Sequence, residues 1–478
     1  MKEKTEESPE EIRGKSENAE KDRERMRSLD EKFSEMTQTP VRPLICRLAV
    51  PTIISNLITT FYNMADAFFI GKISTSASGA VGIAFSVMAV IQAIGFFFGQ
   101  GSGNNISRML GQHREKESER LAATGFFSAL IAGALFGAGG LLLLEPLCRL
   151  LGSTDTILPY AMDYIRLILI GAPYMAASLV LNCQLRFEGS ALYGMIGLTA
   201  GGVLNLILDP VFIFVCDMGI SGAALATILS QLASFCLLFW ELERRGTVPV
   251  RPRNFTPSGK YYRIIFNGGL PSLCRQSVSG VATACMNVAA GSFGDAAVAA
   301  MAIVTKIANF TNAVLLGFGQ GFQPVCGYNY GAGRYDRVRE GFWFCVKTGT
   351  LILAVFAVAE WIAAPFLIEL FRRGDPQVLA IGTTALRFQC LTLCLNGWLM
   401  ISNMMMQTTG KVVSASFLGM ARQGIFLIPI VFALSRLFGI TGVQAAQPAA
   451  DLISFLCCCI LQTRLLREMD REESRRRQ

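Results

Sequence analysis

Charge is what this sequence has least of. Only 16% of its 478 residues are Asp, Glu, Lys or Arg, whereas a soluble chain of that length carries about a quarter. Histidine is nearly missing too. The single one, His113, excludes a His-built metal centre and a relay of imidazoles within apolar segments. No Gly-x4-Gly-Lys-Ser/Thr loop occurs, so ATP hydrolysis by a P-loop is not expected. No CxxC pair, nucleophile elbow or selectivity-filter motif is present. The fourteen cysteines, including the run Cys457-Cys458-Cys459, fall mostly in apolar segments. There a thiol packs as a small hydrophobe, so no redox role, metal site or cofactor is expected.

What the chain has instead is length of apolar sequence. It is 52% hydrophobic, with a mean hydropathy of +0.44. Stretches long enough to cross a bilayer follow one another. Twelve are expected, near 48–70, 80–104, 121–145, 158–181, 192–215, 219–240, 263–290, 297–323, 341–363, 377–403, 412–434 and 439–463. The fold class is therefore an all-α polytopic membrane protein.

Lys and Arg set the orientation. With both termini placed in the cytoplasm, inner loops and the C-terminal tail hold 21 of them, counting Arg263 at the inner edge of the seventh span, and outer loops 5, and the N-terminal tail adds 11 inside. That bias follows the positive-inside rule. It also accounts for the net charge of +8 without a nucleic-acid partner. Residues 1–40 lack the apolar core of a signal peptide and read as disordered.

Shifted by 220 residues, the sequence lies over itself. Pro51 meets Pro271, Gly71 meets Gly291, and Gly99-Gln100-Gly101 meets Gly319-Gln320-Gly321. Gly111 meets Gly331, Asp155 meets Asp375, and Gly222 meets Gly442. Each repeat holds six spans, an even number. The halves should therefore be related by a pseudo-twofold axis along the membrane normal, with a cleft between two bundles. This divides the chain into a disordered charged tail (1–43), an N-terminal six-helix lobe (44–243), a basic cytoplasmic linker (244–262), a C-terminal six-helix lobe (263–463) and a charged tail (464–478).

Two carboxylates interrupt the apolar runs, Asp66 in "YNMADAFFIG" and Asp209 in "NLILDP". An ionisable side chain at that depth costs at least a few kcal/mol and marks function by default. The repeat supports that reading, because Asp66 corresponds to Met286 and Asp209 to Ile428. The architecture does without these acids in its second half. Asn205 lies one turn from Asp209, and Tyr62 one turn from Asp66. Counted from the outer ends, Asp66, Asp209 and Thr227 fall about 6–10 Å deep at 1.5 Å per residue, in one layer. Such an oxygen set suits Na⁺ or a shared proton. In the second half Arg275, Gln276, Lys306, Gln389, Arg422, Gln423 and the run "NMMMQ" at 403–407 are the corresponding polar or adaptable residues. Lys306 and Arg422 should face protein rather than lipid.

These residues carry a resemblance. Pro51 with "YNMADAFFIGK", "NLILDP" with "VFIF", "GISGAALATILSQ" and "GFGQGFQPVCGYNYGAG" look like the multidrug and toxic compound extrusion (MATE) family, and within it the DinF-like branch. The similarity runs over roughly residues 42–465. It implies an antiporter of the prokaryotic plasma membrane that admits H⁺ or Na⁺ and drives out amphipathic, often cationic, drugs or dyes, sufficient as a monomer. It further implies a cation or proton site at Asp66, Asn205, Asp209 and Thr227. Tyr62, Tyr164 and Asn182 would line the neighbouring cavity, with Gln276, Met404 and Gln407 opposite. Pro51 and Pro210 would be the points where helices bend. The acid that another branch carries early in span 7 is replaced here by about Ser279. Two rivals remain: a lipid-linked oligosaccharide flippase, which would have a more basic cavity and more than twelve spans, and an intramembrane enzyme using Asp66 and Asp209.

Overall fold

A computed structural model describes residues 26–71, 73–372 and 374–477. It is helical throughout, with no strand among the described residues. A short helix, α1 (26–38), precedes the first bundle: α2 (Val41–Gly71), α3 (Thr75–Gly111), α4 (Glu115–Leu142), α5 (Leu144–Leu150), α6 (Leu158–Phe187), α7 (Ala191–Pro210) and α8 (Gly219–Arg245). The second bundle comprises α9 (Gly259–Gly291), α10 (Asp295–Gly331), α11 (Tyr335–Phe371), α12 (Pro376–Leu393), α13 (Leu395–Thr409), α14 (Val412–Met420), α15 (Leu427–Phe438) and α16 (Ile440–Arg477). The repeat is visible in the boundaries. α3 and α10 begin and end 220 residues apart, and α4 and α11 begin 220 residues apart.

Ten helical segments are long and apolar enough to cross a membrane, and the bent pair α12 and α13, 55° apart, makes an eleventh. α9 has the length, 33 residues, but Lys260, Arg263, Asn267, Arg275, Gln276 and Asn287 dilute its apolarity. With it the count reaches the expected twelve. Large apolar side chains such as Leu135, Val288, Leu351 and Ile362 are 66–74% exposed, and Leu142 85%. Such a surface suits lipid, not water.

Local chemistry sets the helix ends. Ser74 Oγ accepts the Ala77 amide at 3.0 Å, and Asp375 Oδ1 accepts Gln377 and Val378 at 3.1 and 3.2 Å. Both are N-caps, which satisfy otherwise orphaned amides. Pro210 has no N–H to return to α7, and the chain loosens into one π-helical turn at Val211–Val215. A second π turn, Ala421–Ile425, precedes Pro429 in the other half.

The two lobes meet on the half of the molecule that carries both ends of the described chain, called here the terminal face. A Cβ on Gly321 of α10 would stand 2.6 Å from Ala49 Cα, and one on Gly268 of α9 would stand 2.7 Å from the Gly101 carbonyl of α3. Only glycine permits these crossings. Polar side chains bond across the same plane: Thr52 Oγ1 to the Gly317 carbonyl at 2.6 Å, Asn56 to Gln320 at 3.2 Å, and Thr408 to Asn104 at 2.9 Å.

The N-terminal tail departs from expectation. Residues 1–25 lie outside the described residues, but 26–38 are helical rather than disordered. Leu29 (7% exposed) and Met36 (0%) are buried on the terminal face. Phe33 packs against the same core, so Leu29, Phe33 and Met36 form an i, i+4, i+7 apolar stripe that the charge-rich composition of the tail masks. The C-terminal tail is likewise helical, a continuation of α16 to Arg477.

Beside α1, Glu188 is fully buried at the corner after α6. Its Oε2 accepts the amide and hydroxyl of Thr247 at 2.8 and 3.0 Å. Burial outweighs these bonds and pushes the carboxyl from 4.5 up to about 7. A raised carboxyl binds its proton more tightly folded than unfolded, so its contribution is full below about 4.5 and is lost as pH rises through about 7. Glu188→Gln should therefore leave the melting temperature unchanged at pH 4 and raise it at pH 8. An equal shift at both pH values would contradict this.

Candidate functional site

The two acids come together deep in the first lobe. Asp66 lies five residues before the end of α2, and Asp209 one before the end of α7. Asp209 is fully buried and Asn205 is 4% exposed. The Asn205 amide donates to Asp209 Oδ1 at 3.1 Å. Asp209 Oδ2 and Asp66 Oδ1 are buried without any hydrogen-bond partner. The carboxylates are near enough to repel each other, and no Lys or Arg pairs with either among the described residues. Thr227 of α8 is buried and gives its hydroxyl to the Ala223 carbonyl at 3.0 Å. Tyr62 stands next to Asp66, and its hydroxyl faces Gln231.

Tyr164 corrects one expectation. It is fully buried, beside Asp66, Asp209, Tyr62 and Thr227, and it lines neither cavity described below. Its hydroxyl faces the Thr227 side chain. Alanines and glycines on its own helix let α6 pack tightly against α3 and α8, so Tyr164 backs the acid pair instead of facing the cleft.

Two adjoining cavities run along the lobe boundary. One, of about 150 Å³, is lined by Asn56, Tyr62, Asn182, Arg186 and Gln231 among others. The other, of about 350 Å³, is lined by Arg275, Gln276, Met404, Gln407 and Arg422 among others. Phe96 and Gln320 belong to both. Tyr62 and Asn182 line the first cavity, and Gln276, Met404 and Gln407 line the second. Asp66, Asn205, Asp209 and Thr227 sit behind Tyr62, off the cavity wall. Pro51 is buried inside an unbroken α2, where its carbonyl accepts the Ser55 hydroxyl at 3.0 Å.

Sequence reading missed two buried acids of the second lobe. Asp451 of α16 is fully buried and accepts Arg422 Nε and Gln447 Nε2, each at 2.8 Å. This supplies the partner that Arg422 lacked in the sequence. Glu360 of α11 accepts the Thr311 hydroxyl and lies 3.9 Å from Cys390 Sγ. Both acids interrupt apolar runs, "AADLISF" and "AVAEWIAAP", and the test that found Asp209 would have found them. Lys306 is exposed rather than packed in protein, three residues before the cavity-lining Asn309. Arg186, counted above as a loop cation, lies inside α6 and in the cavity wall.

Fold and site together define a two-lobe helical membrane protein built on a tandem repeat, with an uncompensated acid pair beside a central cavity. A family model described as MatE matches residues 51–211 and again 271–433, and the chain belongs to that family. Multidrug export protein MepA of Staphylococcus haemolyticus (strain JCSC1435) is 26% identical over 435 residues, covering 90% of this chain and 96% of the relative. A crystal structure of MATE in complex with MaL6 superposes with a TM-score of 0.87 at 24% identity, covering 92% of this chain and 99% of that one. An outward-facing multidrug resistance MATE family transporter of the MOP superfamily gives 0.86 at 24% identity, covering 91% and 98%. The two structural likenesses establish the fold. The protein is a multi-pass protein of the plasma membrane, and transporters of this family are not enzymes.

Proposed function

We propose that this protein exports amphipathic small organic molecules by alternating access, in exchange for H⁺ or Na⁺ taken up at the acid pair. The observation that carries this reading is the pair itself: two carboxylates, each with a buried oxygen that has no partner among the described residues, beside a cleft between two lobes. Unpaired buried charge is costly, and a proton or a small cation removes the cost. Occupied and empty sites therefore favour different packings of α2, α7 and α8, and the lobes follow. Asn205 orients Asp209 through its amide, while the Thr227 hydroxyl and Tyr62 complete an oxygen set suited to either ion. The loosened turn after Pro210 lies next to Asp209, where a change of charge can be absorbed by the backbone. The terminal face is assigned to the cytoplasm, so the closed packing of Ala49 on Gly321 seals the cavity from the cell interior.

The flippase alternative has one expectation met, since the cavity is basic. The other, more than twelve spans, is not seen among the described residues. For the export reading, expression in a host stripped of efflux pumps should lower retention of dyes drawn from a panel of cationic, zwitterionic and anionic amphipaths. Unchanged retention across the panel, with the protein present in the membrane, would refute it.

A further inference from the structure

The export reading does not say what kind of molecule the cleft accepts, and its wall chemistry does. Neither cavity is lined by an Asp or Glu among the described residues. Both are lined by arginines. Arg186 of α6 faces the first cavity and is 3% exposed. Its Nη2 reaches only the Cys183 sulfur, at 3.7 Å, its plane lies over Phe187, and its Nε has no partner. Arg275 of α9, half-buried, faces the second cavity with no hydrogen bond or ion pair among the described residues, and the charge acting on it is that of Arg186. Two guanidiniums, one from each lobe, thus repel each other across the boundary where Phe96 and Gln320 line both cavities.

Arginine cannot relieve this by losing a proton. Burying like charges without an anion is costly, and the molecule does pair its third cavity arginine, Arg422, with Asp451. A guanidinium binds a carboxylate or sulfonate through two parallel N–H donors. The surrounding wall is amide-rich and apolar, with Gln276, Gln407, Met404 and Phe96, which accommodates the uncharged body of an amphipath.

We infer that Arg186 and Arg275 form a subsite for an anionic group of the transported molecule, so that the cleft selects zwitterionic or anionic amphipaths bearing a carboxylate or sulfonate over purely cationic ones. The inference rests on the export reading for the word transported, but not for binding. The acid pair that takes the coupling ion lies behind Tyr62 and leaves this subsite to the cargo.

The test uses rhodamine B and its ethyl ester, which differ by one carboxylate, with the full-length purified protein in nanodiscs. Wild type should bind rhodamine B at least tenfold more tightly than the ester by fluorescence polarisation. Arg275→Gln should erase that preference, weakening rhodamine B while the cationic ester, relieved of a like charge, binds at least as well as to wild type, and Arg275→Lys should retain part of it. Arg186→Lys gives a second, independent removal of the planar fork, and melting curves establish that each variant is folded. Equal or tighter binding of the ester by wild type overturns the proposal, as does an undiminished preference in folded Arg275→Gln. Absence of saturable binding by either dye, with no thermal stabilisation by 1-naphthalenesulfonate, overturns it too. If rhodamine B binds as expected but proteoliposomes do not move it under a pH or Na⁺ gradient, the export reading fails and the subsite stands.

Discussion

Asp209→Asn is expected to abolish gradient-driven efflux, by a hundredfold or more, in a protein that still folds. The amide has nearly the shape of the carboxylate and keeps an oxygen for the Asn205 donor, 3.1 Å away in the native pair. It removes a buried charge that has no countercharge, so the melting temperature should hold or rise. Asp66→Asn should behave alike, because the two carboxylates act on each other. Met286→Leu, at the matching position of the second lobe, conserves volume and should be nearly silent. Asp451→Asn supplies the contrast. Its carboxylate is bound to Arg422, and losing it strands a guanidinium. The cost should be somewhat below the ~3–5 kcal/mol of a fully buried pair, since Arg422 keeps 23% of its exposure. Thermal stability and pH-jump efflux measured on the same samples separate the two kinds of acid. Transport by Asp209→Asn at wild-type coupling would remove this carboxylate from the mechanism.

That contrast also marks how far the sequence alone could be read. The 220-residue repeat, the apolar spans and the two first-lobe acids were all legible, because each is a departure from a local pattern. Neighbours four apart on one helix, such as Asn205 and Asp209, were legible for the same reason. Partners on different helices were not. Arg422, in the second π turn, and Asp451, in α16, are 29 residues apart, and nothing in their spacing announces the bond. Arg186 and Arg275 are further apart still, in different repeats. Arg186 reads alone as an ordinary basic residue near the end of α6, and Arg275, in the middle of α9, as an isolated polar residue of its span; only packing of the lobes brings them to one boundary. Tyr164 shows the limit for helix faces: its span was visible, but which way a ring on that span points depends on how closely α6 approaches α3 and α8. The helix 26–38 was legible too, in the spacing of Leu29, Phe33 and Met36; a reading by composition passes over it because charged residues surround the stripe, and what it packs against lies far away in the chain, such as Gly189.

Those contacts lead to the second large effect, expected from removing residues 1–38. Only Thr39 and Pro40 link α1 to α2, so the helix is tied to the first lobe, where Lys32 also donates to the Gly189 carbonyl at 3.3 Å. Its C-terminal carbonyls, which a helix leaves unsatisfied, are taken by the second lobe. Asn329 donates to the Met36 carbonyl at 2.9 Å, Arg334 to that of Thr37 at 2.8 Å, and Arg337 to that of Thr39. Opening the terminal face pulls these three bonds apart. At roughly 0.5–1.5 kcal/mol net each, together they shift the equilibrium between closed and open packings by roughly 10-fold or more. Distances between non-thiol labels at the exposed positions Lys116 and Asp336, which sit at the starts of α4 and α11 on the terminal face, report that equilibrium; the fourteen native cysteines rule out thiol labelling. Truncation should add a longer-distance population, and Arg334→Ala with Arg337→Ala should reproduce most of it. If truncated and full-length protein give the same distribution, α1 does not hold the lobes together, and the polar bonds across Thr52, Asn56 and Thr408 must carry the closed state by themselves.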